Sequence, residues 1–553
     1  MIKNTVIIDT STSPAKIEFA PEFNVAVPFI DRHLDEGRKE KIIIHTTSGE
    51  EVTYGQLSER VNQAGNLLKN MGLNSGDRLL MVVKDSPEFF YLFWGAIKAG
   101  FIPVPLNTLF RSNDYAYIIE DSECTAVFYS PEFKTEVESA LSQVSGSPDH
   151  SCLTEGVSGS FLEQLQSASL ELDAAPSSAT DDCFWLYSSG TTGKPKGVVH
   201  SHRNMVVTSQ HYGKDTLGLK EEDVCFSAAK LFFAYGLGNA MTFPLWSGAS
   251  CILFPERPTP QSTFDVIKRF RPSIFFGVPT LYAAQLKELK SDSDSSSESP
   301  DLSSIRISVS AGEALPADIL RRWKEHTKTD ILDGIGSTEA LHIFISNSPD
   351  DIRAGSSGRL VQGYDAKIVD ENGKEVSQGE EGNLLIRGDS TCKYYWNNEQ
   401  KTAETIVDGW LHTGDSYHQD EEGYYFYGGR SDDMMKVGGI WCSPFEIEAR
   451  LVEHPKVLEA AVVGREDESG LIKPEAHVVL NNSDEEFESV SAELQEHCKS
   501  GLAPYKYPRW FHFPEELPKT ATGKIQRYKP VSYTHLRAHE TREDRGWRLV
   551  GGK

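Results

Sequence analysis

The sequence predicts an α/β protein. A large N-terminal domain of layered α/β subdomains carries a small β-rich subdomain and is followed by a small α+β C-terminal domain. Three observations predict this. Up to about residue 330, apolar strand-like runs alternate with helix-spaced runs, the pattern of parallel sheets covered by helices. From Gly355 to Tyr427 the texture changes to short strands broken by Gly and Asp turns. From residue 431 to about 527, helix-like and strand-like segments mix again. A chain of 553 residues has room for about two to four domains.

Taken in order, residues 56–73 place Leu57, Val61, Ala64, Leu67, Leu68 and Met71 at helical spacing, with Gly72 as the stop. Arg78 to Val83 reads as a buried strand and Pro87 to Ala99 as the helix after it. The run Cys183-Phe184-Trp185-Leu186-Tyr187 reads as a buried strand, and Gly197-Val198-Val199 as the start of the next. Ser291 to Ser299 is an acidic Ser-rich stretch, expected to be a solvated loop. Pro444 to Val452 reads as a helix and Ala460 to Gly464 as a strand. Beyond Arg527 a basic stretch shows no capped or periodic element. Residues 528–553 are read as a non-native scar and left out of the fold. No internal repeat is visible.

Formal charge is −26, from 55 Lys and Arg against 81 Asp and Glu. That disfavours nucleic acid and anionic membrane as partners. No run of about 18 apolar residues exists to span a bilayer, and Met-Ile-Lys-Asn-Thr does not open a signal peptide. The eight cysteines include no Cys-x-x-Cys pair, which suits a reducing, cytoplasmic setting.

The most informative segment is Tyr187-Ser-Ser-Gly-Thr-Thr-Gly-Lys-Pro-Lys-Gly197. Glycines let backbone N–H groups close on an anion, hydroxyls donate to phosphate oxygens, and Lys194 and Lys196 supply charge. A strand–loop–strand of this kind fits a triphosphate. It is not a Walker A loop, because Pro195 stands where Ser or Thr is required and blocks an immediate helix. For such a composition alone, a polar surface turn is the ordinary reading.

The order of residues in this segment closely resembles the phosphate-binding loop of the adenylate-forming enzymes. These are the acyl-CoA synthetases, firefly-type luciferases and peptide-synthetase adenylation domains. The resemblance implies that Ser188, Ser189, Gly190, Thr191, Thr192, Gly193, Lys194 and Lys196 hold ATP phosphates. Five further segments of the chain carry the resemblance. Asp333-Gly-Ile-Gly-Ser-Thr-Glu339 resembles its second core motif, implying Thr338 at the α-phosphate and Glu339 on Mg²⁺. Asp333 and Gly334 would join the nucleotide site. Gly312, Glu313 and Ala314, in Ser310-Ala-Gly-Glu-Ala-Leu-Pro316, would lie against adenine. Asp415 would accept from both ribose hydroxyls, with Tyr427 and Arg430 beside it. Arg430-Ser-Asp-Asp-Met-Met-Lys-Val-Gly-Gly439 resembles the interdomain hinge. Asp432 would be the pivot, and Gly438 and Gly439 would admit a pantetheine arm. Lys436 and Trp441 are either coenzyme A contacts or a surface Lys and a packed Trp. In Pro518-Lys-Thr-Ala-Thr-Gly-Lys-Ile-Gln526, Lys524 would neutralise charge as the acyl-adenylate forms.

These matches imply a domain at 1–430 holding ATP and acid, and a mobile domain at 431–527. Ala229-Lys-Leu-Phe-Phe-Ala-Tyr-Gly-Leu-Gly-Asn239, read blandly, is a buried strand end with an aromatic cluster. Together with Leu341-His-Ile-Phe344 and Ser431-Asp-Asp-Met434, it looks like the benzoate–CoA ligases. The resemblance implies a short flat pocket with Phe233 as gate, lined by Ala234, Tyr235, Ala311, Ile335, Gly336 and His342. His342 either touches a ring substituent or packs. Gly236-x-Gly238 lacks the third glycine of a dinucleotide fingerprint, and His200 and His202, alternating in a strand end, suit one metal poorly.

The expected activity is benzoate–CoA ligation with ATP, Mg²⁺ and coenzyme A, through benzoyl-AMP and domain alternation. A homodimer is compatible with it. Alternatives are a hydroxy- or aminobenzoate, a cyclic or short acid, or a carrier-protein thiol as acceptor. From other classes come luciferase-like oxidation of the adenylate and a non-catalytic nucleotide binder.

Overall fold

Thr53 starts the first long helix, Tyr54–Asn70. Its hydroxyl accepts from the Gln56 N–H while the Gln56 side chain accepts from the Thr53 N–H, a reciprocal cap that satisfies two orphan donors. The cap sets the start two residues before the expected 56, and Gly72, at φ +91°, turns the chain out. Leu57, Val61, Ala64 and Leu68 are buried and face the helix Pro87–Ala99. The two helices cross at Gly65 and Gly95. A Cβ on Gly65 would sit 2.8 Å from the Gly95 carbonyl oxygen, so glycine lets the backbones touch.

The computed structural model describes residues 2–146, 148–188, 194–291, 300–430, 433–437, 440–467, 471–482, 486–502, 506–519 and 525. Two largely parallel sheets dominate the first 346 residues, as the strand–helix alternation predicts, beside an antiparallel ribbon at Val6–Phe19 and the antiparallel strands Asp182–Ser188 and Lys196–Ser201. One has the order Ile102–Pro105, Arg78–Val82, Ala126–Tyr129, His150–Leu153. The other is nine-stranded and parallel from Ile331–Gly336 through Ile307–Ser310, Ile274–Gly277, Val224–Ser227 and Ser250–Leu253 to Ile42–Thr46. Antiparallel strands flank it on both edges. The β-rich subdomain is an antiparallel sheet built on Tyr364–Val369, Gly382–Gly388, Trp410–Gln419 and Tyr425–Arg430. The C-terminal unit has the helix Pro444–Val452, as expected, and a sheet of Val457–Glu466, Ile472–Leu480 and Trp510–His512. Most of the acidic stretch (292–299) and all of 528–553 lie outside the described residues.

Among the described residues no helix is long and apolar enough to cross a membrane. All eight cysteines are buried free thiols. The run Phe233–Asn239 is not a strand end. The strand stops at Ser227, and Ala234–Leu237 forms a helical turn that continues as a wider helix through Thr242.

Four buried histidines tie this core to pH. Burial pushes His33 down to about 2, His342 to about 3, and His200 and His202 to about 4. Two accept hydrogen bonds at Nδ1, His33 from Arg38 Nε at 2.9 Å and His202 from the Val25 N–H at 3.2 Å, which requires neutral rings. The unfolded chain takes up protons near pH 6.5 while the folded chain refuses them, so their contribution is complete above that pH and falls away towards pH 4. Thermal melts should show Tm falling from pH 7 to pH 5, with more than one proton taken up on unfolding. A flat Tm over that range would contradict the assignment.

Candidate active site

The segment expected to hold phosphate joins two antiparallel strands, Asp182–Ser188 and Lys196–Ser201, with Lys196 paired to Ser188 and Gly197 to Tyr187. The hairpin predicted from the flanking apolar runs is therefore present. Ser189, Gly190, Thr191, Thr192 and Gly193 lie outside the described residues. At the loop's base, the Tyr187 hydroxyl donates to Asp121 at 2.6 Å. Lys194 is exposed, its ammonium 4.4 Å from the centre of the Tyr117 ring, a cation–π contact that keeps the charge at the loop's exit.

The second motif meets the hairpin through His200. Its Nε2 lies 2.9 Å from the Thr338 carbonyl oxygen, and the neutral ring donates there. The strand leaving the loop is thus bonded to the segment carrying Thr338 and Glu339. Glu339 is half-buried and accepts from the Tyr395 hydroxyl at 2.8 Å. Tyr395 belongs to Tyr394–Tyr395, which pairs with Val198 and Val199. Hairpin, Glu339 and Tyr395 form one connected unit. One Glu339 oxygen is held by a neutral donor, and carboxylate oxygens are the ligand type that a hard cation favours.

Asp333 and Gly334 lie on the strand Ile331–Gly336. Asp333 is 4% exposed, and burial pushes its carboxyl well above the usual carboxylate range. Gly312, at φ +97°, turns the chain just after the neighbouring strand, and Glu313 and Ala314 follow it half-buried. Asp415 and Arg430 are partners across adjacent antiparallel strands. Arg430 Nη1 donates to Asp415 Oδ1 and to the Thr413 carbonyl, each at 3.1 Å. Gly414 gives Arg430 room, since a Cβ there would lie 2.7 Å from Nη2. The Tyr427 ring sits 5.4 Å from Phe445 of the C-terminal helix.

The expected acid-pocket residues converge at the ends of the central strands. The Tyr235 hydroxyl lies 3.2 Å from the Gly277 carbonyl and 3.3 Å from that of Val309, sharing its proton between them. His342 is 3% exposed and has its Nε2 3.2 Å from Asn239 Oδ1. Its ring meets Phe243 edge-on at 4.5 Å and lies 5.6 Å from Tyr235. The His342 ring packs against these neighbours with its Nδ1 edge unbonded among the described residues. Gly238 admits that ring, because a Cβ there would lie 2.4 Å from His342 Cδ2. Ala234 and Ala311 are buried, while Phe233 and Ile335 are half-buried. Gly336, like Gly238, crowds His342, through its backbone carbonyl.

Across the site, the Ile525 N–H donates to Glu313 Oε1 at 2.8 Å. The C-terminal segment therefore reaches the large domain one residue past Lys524. Lys524 itself, Asp432, Gly438 and Gly439 lie outside the described residues, as do the Lys436 and Trp441 side chains. The backbones of Lys436 and Trp441 pair in a short antiparallel ladder.

Residues 31–396 match the AMP-binding enzyme family, and residues 446–524 match the AMP-binding enzyme C-terminal domain. The chain belongs to this family. It is 46% identical over 526 residues to a benzoate–CoA ligase of Thauera aromatica, covering 95% of this chain and 98% of that protein. The crystal structure of the anthranilate CoA ligase AuaEII in complex with anthranoyl-AMP superposes with TM-score 0.89 at 43% identity, over 94% of this chain and 99% of that one. A benzoate CoA ligase from Burkholderia xenovorans LB400 gives 0.84 at 43% identity, over 92% and 99%. The family's α/β architecture, a large AMP-binding domain followed by a small C-terminal one, is the fold expected from sequence.

Three groups at the site escaped sequence reasoning: His200 as a bridge, Tyr395 and Asn239. The local pattern presents His200 only as one of two alternating histidines that suit one metal poorly. Tyr395 comes to Glu339 through a strand pairing some 200 residues from the loop, and no local pattern announces such a contact. Asn239 ends the aromatic run, and the helical turn that brings it to His342 is what a strand reading hides.

Proposed function

We propose that this chain is an ATP-dependent aryl acid–CoA ligase of the benzoate–CoA ligase type. The observation that carries the reading is the Tyr235 wall. The ring crosses from its helical turn to the carbonyls of Gly277 and Val309, so an acid entering past Phe233 meets a half-buried aromatic surface. A flat ring suits edge and face contacts with Tyr235 and His342, whereas a long alkyl chain needs depth. Close relatives act on benzoate and anthranilate, which supports the same class here.

In the first step the carboxylate attacks the α-phosphorus of ATP, an acyl-phosphate bond forms, and pyrophosphate leaves. Residues 188–194 and Lys196 hold the β- and γ-phosphates, Thr338 the α-phosphate, and Asp415, Tyr427 and Arg430 the ribose side. Gly312, Glu313, Ala314, Asp333 and Gly334 surround the base. Glu339, fixed by Tyr395, would hold Mg²⁺, which when bound offsets phosphate charge. Lys524 neutralises the charge that develops at the reacting phosphate. In the second step the 431–527 domain rotates on 1–430 about Asp432 and withdraws Lys524. Gly438 and Gly439 then flank the pantetheine arm, beside Lys436 and Trp441. The thiol loses its proton, sulfur bonds to the acyl carbon, and AMP leaves. One site presenting two faces in turn calls for such a motion.

A second reading, a ring-substituted benzoate, is favoured by one observation. His342 Nδ1 and Asn239 Nδ2 are buried without a hydrogen-bond partner among the described residues, and a hydroxyl or amino substituent could satisfy one of them. Pyrophosphate release across aryl, alicyclic and short alkyl acids tests both readings. Benzoate or a hydroxy- or aminobenzoate should give the highest kcat/KM; turnover of hexanoate with none of benzoate would reject the pocket.

A further inference from the structure

We propose that the C-terminal domain carries a divalent transition-metal site formed by Glu475, His477 and His512, of the class that takes Zn²⁺, Co²⁺ or Ni²⁺. Among the described residues these are three groups whose ligand atoms all lie within 4.8 Å of one another. Nothing in the ligase chemistry uses them.

The strand pattern builds the cluster. Glu475 and His477 are two apart on the strand Ile472–Leu480 and so share a face. The short strand Trp510–His512 pairs parallel to it, with Glu475 opposite Trp510 and His477 opposite His512. The register brings the second imidazole over the first, with ring centroids 4.8 Å apart and planes 22° apart. Both rings aim Nε2 at one carboxylate oxygen. His477 Nε2 is 3.1 Å from Glu475 Oε1, and His512 Nε2 is 3.4 Å from it. The His512 nitrogen is buried yet makes no hydrogen bond of acceptable geometry among the described residues.

The two carboxylate–imidazole separations, 3.1 and 3.4 Å, suit a coordination shell, and the third pair lies within 4.8 Å. Bonds of about 2.0–2.1 Å to a tetrahedral ion place neighbouring ligand atoms about 3.3–3.4 Å apart. Two imidazoles and a carboxylate select a borderline ion over Mg²⁺ or Ca²⁺, which prefer all-oxygen shells. The other Glu475 oxygen is taken by Arg465 Nη1 at 2.7 Å. That contact fixes the carboxylate's orientation, as outer partners of metal ligands do. Glu475 and His477 are buried while the His512 side chain is 38% exposed, so the cluster lies just beneath the surface.

The site would act on the ligase through position. The His512 strand has only three residues, and the chain after it leads into the 518–526 segment that bears Lys524. A metal joining it to the domain's central strand clamps the root of that segment.

The test uses the full, tag-free chain stripped with a chelator and titrated calorimetrically with Zn²⁺, with Co²⁺ absorption as a second readout. The wild type should bind one equivalent of Zn²⁺ that His512→Ala weakens at least tenfold. Zn²⁺ should raise Tm in the wild type and not in that variant. His477→Ala should behave alike, and circular dichroism checks that both variants fold. Binding unchanged in both variants, or no wild-type binding below about 100 µM (about −5.5 kcal/mol), would overturn the site.

Discussion

Replacing Lys524 with Ala should lower acyl-adenylate formation about 10²- to 10³-fold, the size of effect seen when one preorganised charge-stabilising group is removed. Thioester formation from supplied acyl-AMP and coenzyme A should stay within a few-fold of wild type. The split follows from what each step needs. Adenylation moves negative charge onto the α-phosphate, and a cation held there in a dry site counts for far more than one in water. On the proposed alternation, thioesterification releases AMP after the segment has withdrawn. The Ile525–Glu313 bond would give the proposed first step its geometry, since the amide next to Lys524 is anchored on the loop that follows Ser310. Lys519 adds a second tether within the C-terminal unit, its Nζ 2.7 Å from Glu459. Rapid-quench measurement of each half-reaction decides the matter. Equal losses in both would end the two-conformation account.

Much of this was legible in the sequence because it is local. The helix Pro87–Ala99 has the bounds expected from its apolar run, with proline in its first turn and Gly100 at φ +90° after its end. The phosphate hairpin was legible because apolar runs flank a Gly- and Ser-rich turn. What could not be read arises from strand order. Glu339 and Tyr395 meet because Tyr394–Tyr395 pairs with the strand leaving the loop, and Glu475 and His512 meet through a parallel pairing across an intervening helix. Residues brought together by register carry no shared periodicity. The acid-pocket run failed for another reason. Phe232, Phe233 and Tyr235 look like strand residues by propensity, but Gly236 and Gly238 let the chain coil tightly there.

That coiling makes Gly236→Ala the substitution with the largest expected effect on the acid pocket. A Cβ at 236 would lie 2.0 Å from the Lys230 carbonyl oxygen and 2.6 Å from that of Ala229, distances that no rotamer change relieves because both obstacles are backbone. The obstructing loop cannot retreat cheaply. The Leu231 N–H donates to buried Asp85 at 3.1 Å, and Lys230 Nζ donates to the Glu256 carbonyl at 2.6 Å. The turn Ala234–Leu237 must therefore move, taking the Tyr235 hydroxyl off Gly277 and Val309. Overpacking of this kind costs about 1–3 kcal/mol or more. KM for the aryl acid should rise about tenfold or beyond, tenfold being about 1.4 kcal/mol, and Tm should fall. KM for ATP should change little, since the nucleotide groups lie on other segments. Gly146→Ala, with nothing within 4 Å of its added carbon, is the matched control. Wild-type acid KM and Tm in Gly236→Ala would mean that this turn neither packs nor positions the pocket as described.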